Sequence, residues 1–200
     1  MCLLLETIRV ENEKPMHLEW HQKRMDESYF KCFGMQNPFD LQQILKMRHP
    51  NYKETLKCRV VYDQNRFQVE CTPYQERIIK SFYLVEAPHL DYALKYADRS
   101  HLNIIKKNLP PGAEVIILQN GHVTDTTFSN LAFFDGHQWI TPETFLLNGT
   151  ARQRLISESK IISAPLHRND LQNFVSFKLI NAMLPWETSK IYPVSLIHGI

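Results

Sequence analysis

The apolar run at the start of the chain, Leu3 to Val10, predicts a buried strand, followed by a polar turn at residues 11–14. From Leu18 to Cys32 the pattern changes to helical spacing. Leu18, His21, Arg24, Met25 and Ser28 share one face, no Pro or Gly interrupts, and Gly34 supplies a stop. A second helix, Leu41 to Met47, is introduced by Pro38 and Asp40. Leu56 to Tyr62 and Arg66 to Thr72 read as two strands of a hairpin turning at Asp63-Gln64-Asn65. The polar, proline-containing stretch from Thr72 to Arg77 marks a change of texture. The expected division is an α+β unit over residues 1–76 and a larger, β-rich unit over 77–200.

The second half opens with an apolar strand, Ile78 to Val85. Asp98 is placed to cap a helix with Leu102, Ile105 and Leu109 on its apolar face, and Pro110-Pro111-Gly112 ends it. Val115 to Gln119 then leads into Asn120-Gly121, a strong two-residue hairpin signal. Val123 to Asp125, Leu131 to Phe134 and Gln138 to Thr141 continue what reads as an antiparallel meander. Gly149-Thr150 precedes a helix over Ala151 to Ser159, and Phe174 to Ile180 is a further strand.

Composition narrows the class. At 200 residues the chain can bury a full core, and 44% apolar with 22% charged residues is ordinary for a globular protein. The net charge of +2 comes from scattered basic residues, which argues against a nucleic-acid surface. The apolar start, Met1 to Leu5, reaches Glu6 too soon for a leader or membrane span. Cys2, Cys32, Cys58 and Cys71 have no CxxC spacing, so no metal site is expected. Reduced thiols in a cytoplasmic protein are the expectation.

Three segments carry candidate chemistry. Lys95 lies in Tyr92-Ala93-Leu94-Lys95-Tyr96-Ala97-Asp98-Arg99, and a lysine near a strand end can form a Schiff base. Asp125, thirty positions on, can hold a protonated pyridine nitrogen, since a carboxylate favours a neighbouring cation. Gly149-Thr150-Ala151 suits a phosphate, because a helix start offers N–H donors and a favourable dipole while glycine permits close approach. Alone, each also fits a plainer role: a surface lysine, a solvated aspartate, a capped surface helix.

The order of segments joins them. Leu5-Glu6-Thr7-Ile8-Arg9, the helix from His17 to Met25, Lys95-x-x-Asp98-Arg99, Val123 to Asn130, Thr141-Pro142, Gly149 to Gln153 and Asn181-Ala182-Met183 follow in sequence. Together they resemble the class IV aminotransferases, the fold-type IV pyridoxal-phosphate enzymes that include D-amino-acid aminotransferases and 4-amino-4-deoxychorismate lyase. The resemblance runs from Glu6 to about Pro193. It implies pyridoxal 5′-phosphate as cofactor, with Lys95 as the Schiff-base lysine. It implies that Asp125 stands where the family has a glutamate at the pyridine nitrogen. It further implies Arg24, Gly149, Thr150, Ala151 and Asn181 around the phosphate. Arg9, Arg59 and Arg99 are its candidates for a substrate carboxylate, which arginine recognises bidentately.

The implied activity is transamination of an amino acid, or release of pyruvate from aminodeoxychorismate to give 4-aminobenzoate. The implied assembly is a homodimer, with no nucleic-acid or membrane partner. Two departures from the family, Asp125 for glutamate and Asp98 for asparagine, raise a degenerate cofactor-binding protein as an alternative.

Overall fold

The structure, a computed structural model, describes residues 2–46 and 54–200. The chain forms two compact units. One holds residues 1–76 with 94–98, the other 77–93 with 99–200.

Among the described residues, the first unit is a four-stranded antiparallel sheet carrying two helices. Its strands are β1 (Leu4–Glu11), β2 (Lys14–Pro15), β3 (Leu56–Tyr62) and β4 (Phe67–Pro73), in the order β2-β1-β3-β4. The helices are α1 (Leu18–Phe33) and α2 (Leu41–Lys46). The expected end of the second helix, Met47, lies outside the described residues. Alternation along β1 and β3 sends Ile8, Val10, Leu56 and Val60 into a core shared with Met25 and Tyr29 of α1. Gly34 ends α1 as expected: at φ 71° it is left-handed, and its N–H returns to Phe30 O at 2.8 Å.

Residues 94–98 group with this first unit, not with the second half where the sequence put them. The reason is backbone pairing. Leu5 N donates to Lys95 O at 2.9 Å, Ala97 N donates to Leu3 O at 2.9 Å, and Leu4 bridges Tyr96.

The expectation of four reduced thiols is also corrected. The antiparallel register sets Cys58 of β3 directly opposite Cys71 of β4, and the two form a disulfide. Cys2 and Cys32 are free.

The second unit contains two sheets. One has the order β13-β5-β6-β7, from β5 (Ser81–Glu86), β6 (Ala113–Gln119), β7 (His122–Val123) and β13 (Ile197–His198). The other has the order β10-β9-β8-β11-β12, from β8 (Asn130–Phe134), β9 (Trp139–Pro142), β10 (Ile162–Ala164), β11 (Ser176–Ile180) and β12 (Ile191–Pro193). Its helices are α3 (Ser100–Ile105) and α4 (Thr150–Ser157). Phe82, Ile116, Leu118, Leu131, Phe133 and Phe177 are among the side chains that fill a common core between the sheets.

Two expectations change here. The single meander is divided: β6 and β7 pair through the Asn120-Gly121 turn, whereas β8 and β9 pair in the other sheet. Both turn residues have positive φ, 53° and 78°, as a two-residue hairpin of this hand requires. Asp98 does not cap α3. Arg99 holds that position, with no side-chain cap.

Candidate active site

In the first unit a charged group sits within the hydrophobic face. Glu6 occupies an inward position of β1 between Leu4 and Ile8, and is 1% exposed. From α1, His21 and Arg24 are three residues apart and therefore reach the same spot. Arg24 Nε donates to Glu6 Oε1 at 2.8 Å and Arg24 Nη2 to Oε2 at 2.5 Å. His21 Nδ1 lies 2.6 Å from the same Oε2. Burial alone would raise the Glu6 pKa. The Arg24 charge and the hydrogen bonds from His21 and Arg24 outweigh it and hold the carboxylate at about 2. Burial lowers the His21 pKa, and the positive charges of Arg24 and Lys95 push it the same way. His21 is accordingly a neutral ring donating from Nδ1.

The structure thus groups Arg24 and Lys95 around Glu6 and His21. Arg9 and Arg59 lie on the other face of the same sheet, because both occupy the half-buried positions of strands whose alternate residues face α1. Arg9 stands opposite Lys57, and Arg59 opposite Thr7, so the two arginines are diagonal neighbours. Arg9 is ion-paired with Glu11.

In the second unit Asp125 follows β7 and keeps pairing with β6 through Ile117 N, at 2.8 Å from its carbonyl. The chain then turns tightly. Thr126 Oγ1 accepts from Ser129 N at 3.0 Å and Thr126 N donates to Ser129 O at 2.8 Å, which delivers Ser129 and Asn130 to the start of β8. The Asp125 carboxylate is 5% exposed. Oδ1 accepts from Asn130 Nδ2 at 2.7 Å, and Oδ2 from Leu146 N at 3.2 Å and Leu147 N at 2.9 Å. Burial pushes its pKa up to about 7, against the lowering effect of those bonds and of the Arg152 charge. Among the described residues it has no ion-pair partner within 4.0 Å.

The turn before α4 is built against the same group. Asn130 Nδ2 also donates to Leu147 O at 2.8 Å. A Cβ at Gly149 would collide with Asn130 Oδ1, so this position needs glycine for close approach rather than for φ. Gly149 is the N-cap, and Thr150 and Ala151 are the buried first residues of the helix. Asn181 follows β11, where Ile180 pairs with Asn130. Its Nδ2 donates to Ser129 Oγ at 2.8 Å and its Oδ1 accepts from Met183 N at 2.9 Å. The second unit therefore brings Asp125, Gly149, Thr150, Ala151 and Asn181 into one connected set. Arg99 donates to Thr127 O, two residues beyond Asp125.

Glu6, His21, Asn130 and Arg152 were given no role from the sequence. The first two had a signal: a carboxylate on the inward phase of a strand, and a histidine on the apolar face of a helix, both require a buried partner. Arg152 is 5% exposed and braces the turn. Its guanidinium donates to Thr141 Oγ1, Asn148 Oδ1, Pro142 O and Ser163 Oγ at 2.8–3.3 Å and lies over the Phe145 ring.

Within the second unit, a buried carboxylate and a glycine-backed helix start form a set suited to an anionic, ring-containing ligand. Residues 61–197 match the family described as Amino-transferase class IV. An uncharacterized protein of Haemophilus influenzae is 35% identical over 185 residues, 92% of this chain and 98% of that protein. A crystal structure of a "putative 4-amino-4-deoxychorismate lyase" from Haemophilus somnus 129PT is 34% identical, with a TM-score of 0.85 over 92% of this chain and 97% of the other. A hypothetical aminotransferase from Mycobacterium tuberculosis in its PLP-bound form shares the fold, with a TM-score of 0.74, 16% identity, and coverage of 99% and 82%. The chain belongs to the class IV aminotransferases. It is an enzyme of that pyridoxal-phosphate-dependent family, with the mixed α+β architecture of fold type IV. Among the described residues no helix is long and apolar enough to cross a membrane.

Proposed function

We propose that this chain binds pyridoxal 5′-phosphate through Lys95 and acts on a carboxylate-bearing amine. The observation that carries the reading is Asp125: a buried carboxyl held by three neutral donors, with its pKa raised to about 7. A protonated ring nitrogen is the kind of cation such a group lacks, and it would settle the carboxylate in its ionised form. When bound, the cofactor supplies an electron sink for bonds broken at the substrate carbon. Asp125 maintains that sink by keeping the ring nitrogen protonated. Gly149, Thr150 and Ala151 offer backbone N–H groups to the phosphate, and Arg24 and Asn181 are its side-chain partners. Lys95 would hold the cofactor covalently and would carry protons at the substrate carbon as base and acid. Arg9, Arg59 and Arg99 are the candidate partners of a substrate carboxylate. The working form is a homodimer.

Of the two reactions, release of pyruvate from 4-amino-4-deoxychorismate has support in the 34%-identical relative described as a lyase. Transamination has the support of the family description itself. One experiment tests the cofactor reading and separates the reactions. The purified protein with added pyridoxal phosphate should show a visible absorption band that borohydride removes and that Lys95→Ala lacks. Pyruvate released from aminodeoxychorismate indicates the lyase. Conversion of the cofactor to its amine form by amino acids indicates the aminotransferase. A protein that stays colourless with added cofactor overturns the reading.

A further inference from the structure

One side chain joins the carboxylate assigned to the ring nitrogen and the turn assigned to the phosphate. Asn130 is 6% exposed at the start of β8. Its Nδ2 donates to Asp125 Oδ1 at 2.7 Å and to Leu147 O at 2.8 Å. Both neighbours are acceptors, so the amide has only one orientation that satisfies them. That orientation turns Oδ1 toward Gly149, where a Cβ would collide with it. Asp125 reaches the same turn directly, taking Leu146 N and Leu147 N on Oδ2. Four successive residues of the approach to α4 are thereby fixed. Leu146 and Leu147 are hydrogen-bonded to Asp125, and Gly149 is seated on Asn130. Between them Asn148 is gripped by Arg152 Nη1 at 3.1 Å and by Gln153 Nε2 at 3.0 Å, on its side-chain and backbone oxygens respectively.

We propose that Asn130 is a positioning residue that couples Asp125 to the turn ending in Gly149-Thr150, so that the grip on the phosphate depends on the ring-nitrogen carboxylate. The inference rests on the cofactor reading above and adds a role to a residue that need not touch the cofactor. A merely structural asparagine would weaken binding of every cofactor analogue alike. A coupling residue weakens the phosphate end selectively.

The test compares pyridoxal 5′-phosphate with pyridoxal, which has the same ring and aldehyde and no phosphate. Dissociation constants are measured by absorbance for the wild-type protein and for Asn130→Ala, with thermal unfolding recorded for each. Loss of a hydrogen bond to a charged group predicts about tenfold weaker binding of pyridoxal 5′-phosphate in Asn130→Ala, with pyridoxal changed by less than about threefold. Equal weakening of the two ligands, or none, overturns the coupling. Should Asn130→Ala fail to fold, Asn130→Ser tests the same contact, because its shorter side chain cannot span Asp125 Oδ1 and Leu147 O together. It should show the same selective loss. A wild-type protein that binds neither ligand overturns the cofactor reading and the coupling together. Normal wild-type binding with an unchanged ratio in the variants overturns the coupling alone.

Discussion

Arg24 grips Glu6 through two parallel hydrogen bonds, 2.8 and 2.5 Å long, inside the core of the first unit. The pair is buried on both sides, so its worth is asymmetric. Removing Arg24 leaves Glu6 charged and uncompensated, which costs about 3–5 kcal/mol, whereas replacing both partners by apolar residues of similar volume costs far less. Arg24→Met should therefore lower the midpoint of urea unfolding more than the double variant Glu6→Leu/Arg24→Met. If the double variant proves the weaker, the ion pair is a net source of stability.

Acid should weaken this unit for the same reason. The folded pKa of Glu6 is depressed from 4.5 to about 2, so its contribution is present above 4.5 and lost as the pH falls toward 2. His21 is depressed from 6.5, so its contribution is present above 6.5 and declines on further acidification. Unfolding followed from pH 7 to pH 2 should show both losses in wild type, and Glu6→Gln should lack the lower one.

Asp125 has the opposite sign. Its folded pKa is raised from 3.8 to about 7, so its contribution is fully present below 3.8, fades as the pH rises, and is gone above about 7. Relative to Asp125→Asn, wild-type cofactor-free protein should gain stability as the pH is lowered from 7 to 4. A difference that stays constant with pH would show that Asp125 ionises normally in the folded chain.

Arg152 supports the turn before α4 through four neutral acceptors rather than through a carboxylate. Lysine keeps the charge but lacks the planar fork, and it leaves buried acceptors unmet at about 1–3 kcal/mol. Arg152→Lys should lower the melting temperature and speed amide exchange at Leu146 and Leu147. Unchanged exchange there would exclude the bracing role.

The Cys58–Cys71 link joins neighbouring strands across 13 positions. Closing a loop of that size stabilises by about 3 kcal/mol in the chain-entropy account. Thiol titration of the denatured, unreduced protein should find two thiols, rising to four on reduction. Four at the outset would show that the strands hold without the bond.

Much of this was legible in the sequence because local signals and long-range packing agree. The face of α1, its stop at Gly34 and the Asn120-Gly121 hairpin follow from spacing and turn chemistry alone. The ordered motifs point to the family even though Lys95, Asp125 and Gly149 are each unremarkable in isolation. What stayed hidden is tertiary. Nothing local tells β7 from β8 as members of different sheets, since both are short apolar runs bounded by turns. Nothing in the spacing of Cys58 and Cys71 reveals a shared register. Asn130 reads as a turn residue until Gly149 and Leu147, seventeen or more positions on, are seen against it.

The short excursion of residues 94–98 changes what it means to divide this protein. The chain crosses from one unit to the other at 76, returns at 93 and leaves again at 98. No single cut yields two self-sufficient fragments. A piece ending at Glu76 would lack Lys95 and leave Leu3 and Leu5 without their backbone partners, while the remainder would carry the lysine on a segment with nothing to pair against. Lys95, the proposed Schiff-base lysine, is thus held by backbone pairing within the first unit, although the chain reaches it only after seventeen residues of the second.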